Sequence, residues 1–340
     1  MVGFPGKLGL CATGCGPAAS FYSRPQSEPL STVPTAMGGP LLGMSASLEG
    51  PFPSADDPPP FTALERFVAA LPMFALYGGI TTWAYFAWYH NQPKNRRLVV
   101  NKAVEEGFGG FTYSGGADKA GHFYANYLFS RLGAQILIDR GWSPLWAVVV
   151  NVSFTLALYT LVEFRDGLHP GYGFSVQDYA ANVLGASVAA LLLLVPPLDE
   201  LFGVRLCYRP SKLFLRALYY RHDIDFSEDY TGQTVMVVFH LGGLSAVRRS
   251  PTFRFLRYVD LLIGYNTRGF LPRPAPSVLR EQEVFFGFSL SLVEILRDLY
   301  PNGQRMGWAA KGLADLTEYL QLTPVHKTVG AVWLTPQPQR

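Results

Sequence analysis

The sequence predicts a mainly α membrane protein: a four-helix transmembrane bundle followed by a small α+β domain with an antiparallel sheet. Three observations carry that expectation. Charged residues make up only 16 % of the 340 residues and hydrophobic ones 49 %, whereas about 25 % charged is usual in soluble domains. Four long apolar runs lie between Phe67 and Val195. Beyond Pro197 the pattern changes to short alternating stretches. The chain therefore divides into residues 1–60, a helical membrane domain over 61–200, and a sheet with helices over 201–340.

Residues 1–60 are rich in Pro, Gly, Ser and Ala and lack apolar periodicity. That composition predicts a disordered or mis-annotated N-terminal segment, with Met37 and Met44 as alternative starts. The stretch ATGC, ending at Cys15, faintly resembles a lipoprotein cleavage box. The apolar stretch before it is shorter than the roughly 7–15-residue core that a signal peptide needs.

The first span is FVAALPMFALYGGITTWAYFAWY, Phe67 to Tyr89, uncharged and ending in interfacial aromatics. The second, Ala120 to Ile138, is interrupted by Arg131. The third runs from Pro144 to Val162, and Ser143-Pro144 is a helix-start signal. The fourth runs from about Val176 to Val195 and stops at Pro196-Pro197. Lys and Arg balance across the connecting loops, so the positive-inside rule leaves orientation open.

Three stretches then read as strands: TVMVVFHL (234–241), YVDLLIGY (258–265) and EVFFGFSLSL (283–292). In the third, Val284, Phe286, Phe288 and Leu290 make a greasy face, and Phe285, Gly287, Ser289 and Ser291 a small or polar one. Helical patterns follow near Leu292–Leu299 and Trp308–Leu320. Three strands are too few for a closed transmembrane barrel.

The net charge of +3 and the absence of a basic block exclude a nucleic-acid footprint. Cys11, Cys15 and Cys207 make no disulfide framework. His169, His222, His240 and His326 stand alone and read as structural or solvated. Asp223, Asp225, Glu228 and Asp229 read as a solvated acidic loop.

Polar residues gather at one end of the helices. In GGADKAGHFYANYLF (115–129), Asp118, His122 and Asn126 are four apart, one column on a helix. Lys119 stands beside them. Glu163 and Asp166 close the third span. Ser175, Asp178, Asn182 and Gly185 open the fourth, and Ser175 with Asp178 matches a capping box. Alternating spans place all of these near one membrane face. Carboxylates around a neutral imidazole can bind a divalent cation, exchange protons, or form buried ion pairs with Lys119 and Arg165. Each residue alone has a structural alternative as a helix cap or an interhelical hydrogen bond.

DKAGHFYANY and EFRDGLHPGYGFSVQDYAANVLGA together resemble the YfiM-like family, domain of unknown function 2279, whose members are described as predicted periplasmic lipoproteins. The matching positions are Asp118, Lys119, His122, Glu163, Asp166, Gly167, Gly173, Phe174, Ser175, Asp178, Asn182 and Gly185. A more distant likeness is to VanZ-like membrane proteins. The resemblance implies an architecture and a choice of residues, not a reaction.

Two functional readings follow. One is a non-enzymatic scaffold in the bacterial cell membrane, with loops or the C-terminal domain in the periplasm, meeting membrane lipid or an envelope protein partner. The other is a membrane-embedded enzyme or metal- or lipid-binding site acting on an envelope lipid or cell-wall glycolipid. There His122, Asp178 and Glu163 would be catalytic, and His122, Asp118, Asp166 and Asp178 would hold a divalent cation. Ion transport fits less well, because the polar groups stay at one face.

Overall fold

The computed structural model describes residues 62–90, 97–101, 107–169, 172–221, 225–270, 279–299, 308–321 and 326–334. The expectations for residues 1–60, with Cys11 and Cys15, and for His222 and Asp223 lie outside the described residues. The chain divides into two compact units, Met1–Val68 and Ala69–Arg340. In the first, the Thr62 N–H donates to Glu65 Oε2 (2.7 Å) and the Glu65 N–H to Thr62 Oγ1 (3.2 Å), a reciprocal cap at a helix start.

The helices are α1 (Ala63–Ala84, extended by a π-turn over Tyr85–Tyr89), α2 (Ala117–Asp139), α3 (Pro144–Gly167) and α4 (Val176–Leu194). Pro144 at the first turn of α3 loses no intrahelical hydrogen bond, although the Ser143 side chain makes no cap bond there. Ser175 does cap α4, accepting from the Asp178 N–H at 3.0 Å. Pro196 stops α4, because proline disfavours helical geometry in the residue before it.

Among the described residues three helices are long and apolar enough to cross a membrane: Leu64–Tyr89, Pro144–Gly167 and Val176–Leu194. This corrects the second of the four expected spans, Ala120 to Ile138. Helix α2 is the polar centre of the assembly. It lies against α3 and α4 and also meets the sheet, and it buries Lys119, Asn126, Ser130 and Arg131. Protein surrounds those groups, so the helix need not be greasy.

Among the described residues the sheet has five antiparallel strands in sequence order: β1 (Phe202–Tyr208), β2 (Gln233–His240), β3 (Val259–Arg268), β4 (Glu281–Leu290) and β5 (His326–Leu334). Strands β2, β3 and β4 answer the three expected stretches; β1 and β5 were not anticipated. Arg205 interrupts the apolar run of β1, which hides its period. Helices α5 (Pro196–Asp199), α6 (Lys212–Arg221), α7 (Ser245–Arg249), α8 (Leu292–Leu299) and α9 (Trp308–Tyr319) are the other α-helices among the described residues. Of these, α8 and α9 answer the expected helical patterns.

The two faces of the sheet differ. Cys207, Met236, Val238, Leu262 and Phe285 form a buried cluster on one. On the same face Asp260 accepts from Arg205 (2.7 Å) and His240 (2.8 Å), while α9 and its end supply Glu318 beside His240 and Gln321 beside Arg205. His240 is therefore not a lone residue. On the opposite face the register aligns Val204, Val237, Ile263 and Phe286. Val204 packs with Tyr124 and Tyr127 of α2, but Val237, Leu261, Ile263, Phe286 and Phe288 remain exposed. The greasy face of β4 thus points outward.

The acidic loop also departs from expectation. Asp229 is fully buried and accepts from the backbone of Ser211 (2.8 Å) and Gly232 (3.1 Å). Asp225 accepts from Trp88 Nε1 (2.7 Å) and from the Ser227 N–H.

Candidate functional site

The N-terminal turn of α2 opens on Gly115 and Gly116, both with positive φ, 60° and 89°. A Cβ at Gly116 would meet the Phe108 ring at 2.2 Å, so the tight entry requires glycine twice over. The sheet holds this corner: Tyr265 Oη and Gln282 Nε2 both donate to the Gly115 carbonyl.

Lys119 emerges from this turn into the protein, with its side chain 3 % exposed. Its ammonium donates to Tyr113 Oη (3.1 Å) and Asp118 Oδ2 (3.0 Å), and meets Asp178 Oδ1 at 2.9 Å. Three donors thus have three partners. The Tyr113 hydroxyl in turn donates to Asp118. Burial alone would raise the Asp118 carboxyl; Lys119 and then His122 overcome that and hold it below the usual carboxylate range.

A second layer lies one turn deeper. His122 Nδ1 donates to Asn182 Oδ1 (3.0 Å), which also accepts from Asn126 Nδ2 (2.6 Å). Asn182 Nδ2 donates to Glu163 Oε1 (3.3 Å), and that oxygen lies 3.5 Å from His122 Nδ1. Glu163, Asn126 and Asn182 are all buried. His122 Nε2 turns towards Asp118 Oδ1 at 3.9 Å, and the ring keeps one-fifth of its surface open.

The structure therefore brings together Asp118, Lys119, His122, Asn126, Glu163, Asp178 and Asn182 from three helices. Ser175 is the cap of α4; the Asp178 carboxylate turns to Lys119. Asp166 faces α1, accepting from Tyr89 Oη at 2.7 Å. Candidate ligand atoms of Asp118, His122 and Asp178 lie within 4.8 Å of one another; Asp166 is not part of that group. Tyr113 is the participant that sequence reasoning missed, because it precedes α2 and lies outside the four-residue column.

The same geometry explains the spacing on α4. Asp178 reaches Lys119 and Asn182 reaches His122. At Gly185 an added Cβ would stand 2.0 Å from the Phe123 carbonyl oxygen. Two polar ties and one close approach lock α4 to α2.

Residues 105–194 match the model of a family described as predicted periplasmic lipoprotein (DUF2279). The matched span takes in α2, α3 and α4 with the whole polar layer, and it bears out the resemblance read from DKAGHFYANY and EFRDGLHPGYGFSVQDYAANVLGA. The VanZ-like likeness has no counterpart in it. No curated protein and no solved structure matches the chain.

Proposed function

We propose that the chain is a cell-envelope membrane protein in which the polar layer acts as a structural clamp, not as a reaction centre. Three helices of sufficient length and apolarity support membrane insertion, and the periplasmic description of the matched family supports the envelope. One observation carries the clamp: the Lys119 ammonium lies between Asp118 and Asp178, where a cation shared by the two carboxylates would sit. The positive charge needed to bury them is built into the chain. The sheet, with its exposed apolar face, is left to meet lipid or an envelope partner.

A second reading retains one observation in its favour. Asp118, His122 and Asp178 lie close enough to share a divalent cation, which would require Lys119 to withdraw. On that reading the site acts on an envelope lipid or cell-wall glycolipid, with His122, Glu163 and Asp178 in the chemistry.

Metal analysis of the full chain purified in detergent separates the two, combined with thermal unfolding of Lys119→Met, His122→Ala and Asp178→Asn. The clamp reading expects no stoichiometric metal and a lowered unfolding midpoint in each variant. A stoichiometric metal, lost from a His122→Ala protein that still folds like the wild type, overturns it.

A further inference from the structure

Between the N-terminal halves of α2 and α4 and the strands β2–β4 lies a cleft of about 530 Å³, within the range of ligand-binding pockets. Ala180 and Leu184 stand on its helix wall, and Val237 and Ile263 on its sheet wall. Its polar side chains are Lys119 and Gln177, both in the first turn of their helices, and Tyr265, whose hydroxyl is engaged by the Gly115 carbonyl and Gln282. From Gln177 to Leu184 the cleft follows α4 for about 10 Å, at 1.5 Å per residue.

We propose that this cleft takes the hydrocarbon chain of a membrane lipid. The occupant follows from what the walls lack. The Lys119 ammonium is engaged by Tyr113, Asp118 and Asp178, so only its aliphatic stem is offered to the cleft. The wall strands β2 and β3 are paired on both sides by neighbouring strands. A peptide segment entering here would bring a row of N–H and C=O groups to walls whose backbone is already paired and whose side chains are mostly apolar, which is costly. A hydrocarbon chain brings no such groups. Access also fits. Leu184 at the cleft is exposed, as are Val176, Leu191 and Leu194 on the same helix, and α4 is one of the helices apolar enough to cross a membrane. The inference rests on the membrane reading above for the source of the chain, and on the cleft alone for its binding.

The test uses palmitic acid carrying a diazirine at its methyl end, added to the full chain in vesicles and in detergent. Adducts are mapped by peptide mass spectrometry. Adducts should concentrate at Leu184, Val237 and Ile263. Substitution of the exposed Ala180 by Trp (Ala180→Trp) should fill the cleft and lower those adducts several-fold while leaving adducts at exposed Leu161 of α3 unchanged. Val237→Trp fills the cleft from the strand side and serves if Ala180→Trp does not fold. Equal labelling at Leu161 and at the cleft, insensitive to both fillings, overturns the proposal; so does a cleft that excludes the probe because a segment of the chain occupies it. Vesicle flotation is read separately. A chain that fails to float but still labels in the cleft overturns the membrane reading and leaves the hydrocarbon site standing.

Discussion

The Lys119 ammonium lies 2.9 Å from Asp178 Oδ1, joining the first turns of α2 and α4 across 59 residues of sequence. With Asp118 on its other side, it makes one cation serve two carboxylates, Asp178 buried and Asp118 partly so. Lys119→Met removes the cation and leaves both acids behind. The expected loss is about 3–5 kcal/mol, the usual cost of stranding a buried charge. Asp178→Asn leaves Lys119 still paired with Asp118 and should cost less. Thermal unfolding in detergent ranks the two; equal or reversed losses would contradict the clamp.

Gly185→Ala should weaken the α2–α4 contact. The added methyl meets the Phe123 carbonyl oxygen at 2.0 Å, and backbone cannot move aside as a side chain can. Overpacking of this kind costs about 1–3 kcal/mol or more. Gly312→Ala, where nothing lies within 4 Å, is the control and should leave the unfolding midpoint unchanged or slightly raised.

Asp260 predicts an acid-sensitive sheet. Burial alone would raise its carboxyl, but the hydrogen bond from His240 and the neighbouring Arg205 charge hold it below its ordinary value. A depressed carboxyl contributes stability that is complete above the unfolded pKa, about 3.9 for aspartate, and is lost as the pH falls through the lower folded value. Unfolding midpoints of the wild type should therefore fall on acidification through that window. In Asp260→Asn that part of the pH dependence should be missing.

Arg131 ties α2 to the C-terminal half. Its guanidinium donates to Asp199 of α5 and lies over the Tyr127 and Tyr319 rings. Arg131→Met keeps much of the stem packing and removes the charge, while Asp199 is one-quarter exposed and can be solvated. A loss of about 1–3 kcal/mol is expected, smaller than for Lys119→Met. Limited proteolysis should show earlier cleavage around α9 than in the wild type.

Much of the helical half was legible because its signals are local. The apolar runs of α1, α3 and α4 have spanning lengths, Ser175 and Pro196 mark the two ends of α4, and the four-residue spacing of Asp118, His122 and Asn126 aligns them on one side of a helix. The same reasoning misjudged α2. Ala120–Ile138 reads as a span despite Arg131, but His122, Asn126, Arg131 and Gln135 dilute its apolar residues, and α2 is not among the helices apolar enough to cross a membrane. The sheet was legible where strands alternate cleanly, and lost where Arg205 or a glycine interrupts the period.

By itself the sequence determined which segments are helical or extended, where α4 is capped, and that acids, a histidine and asparagines share the ends of three helices. Only the tertiary structure decided that Lys119 lies between Asp118 and Asp178, that His240 meets Asp260, that Asp229 is buried, and that the greasy face of β4 points outward. Periodicity records which side of an element a residue occupies. It carries no record of what packs there, because those partners come from segments tens of residues away, brought together only when the chain closes on itself.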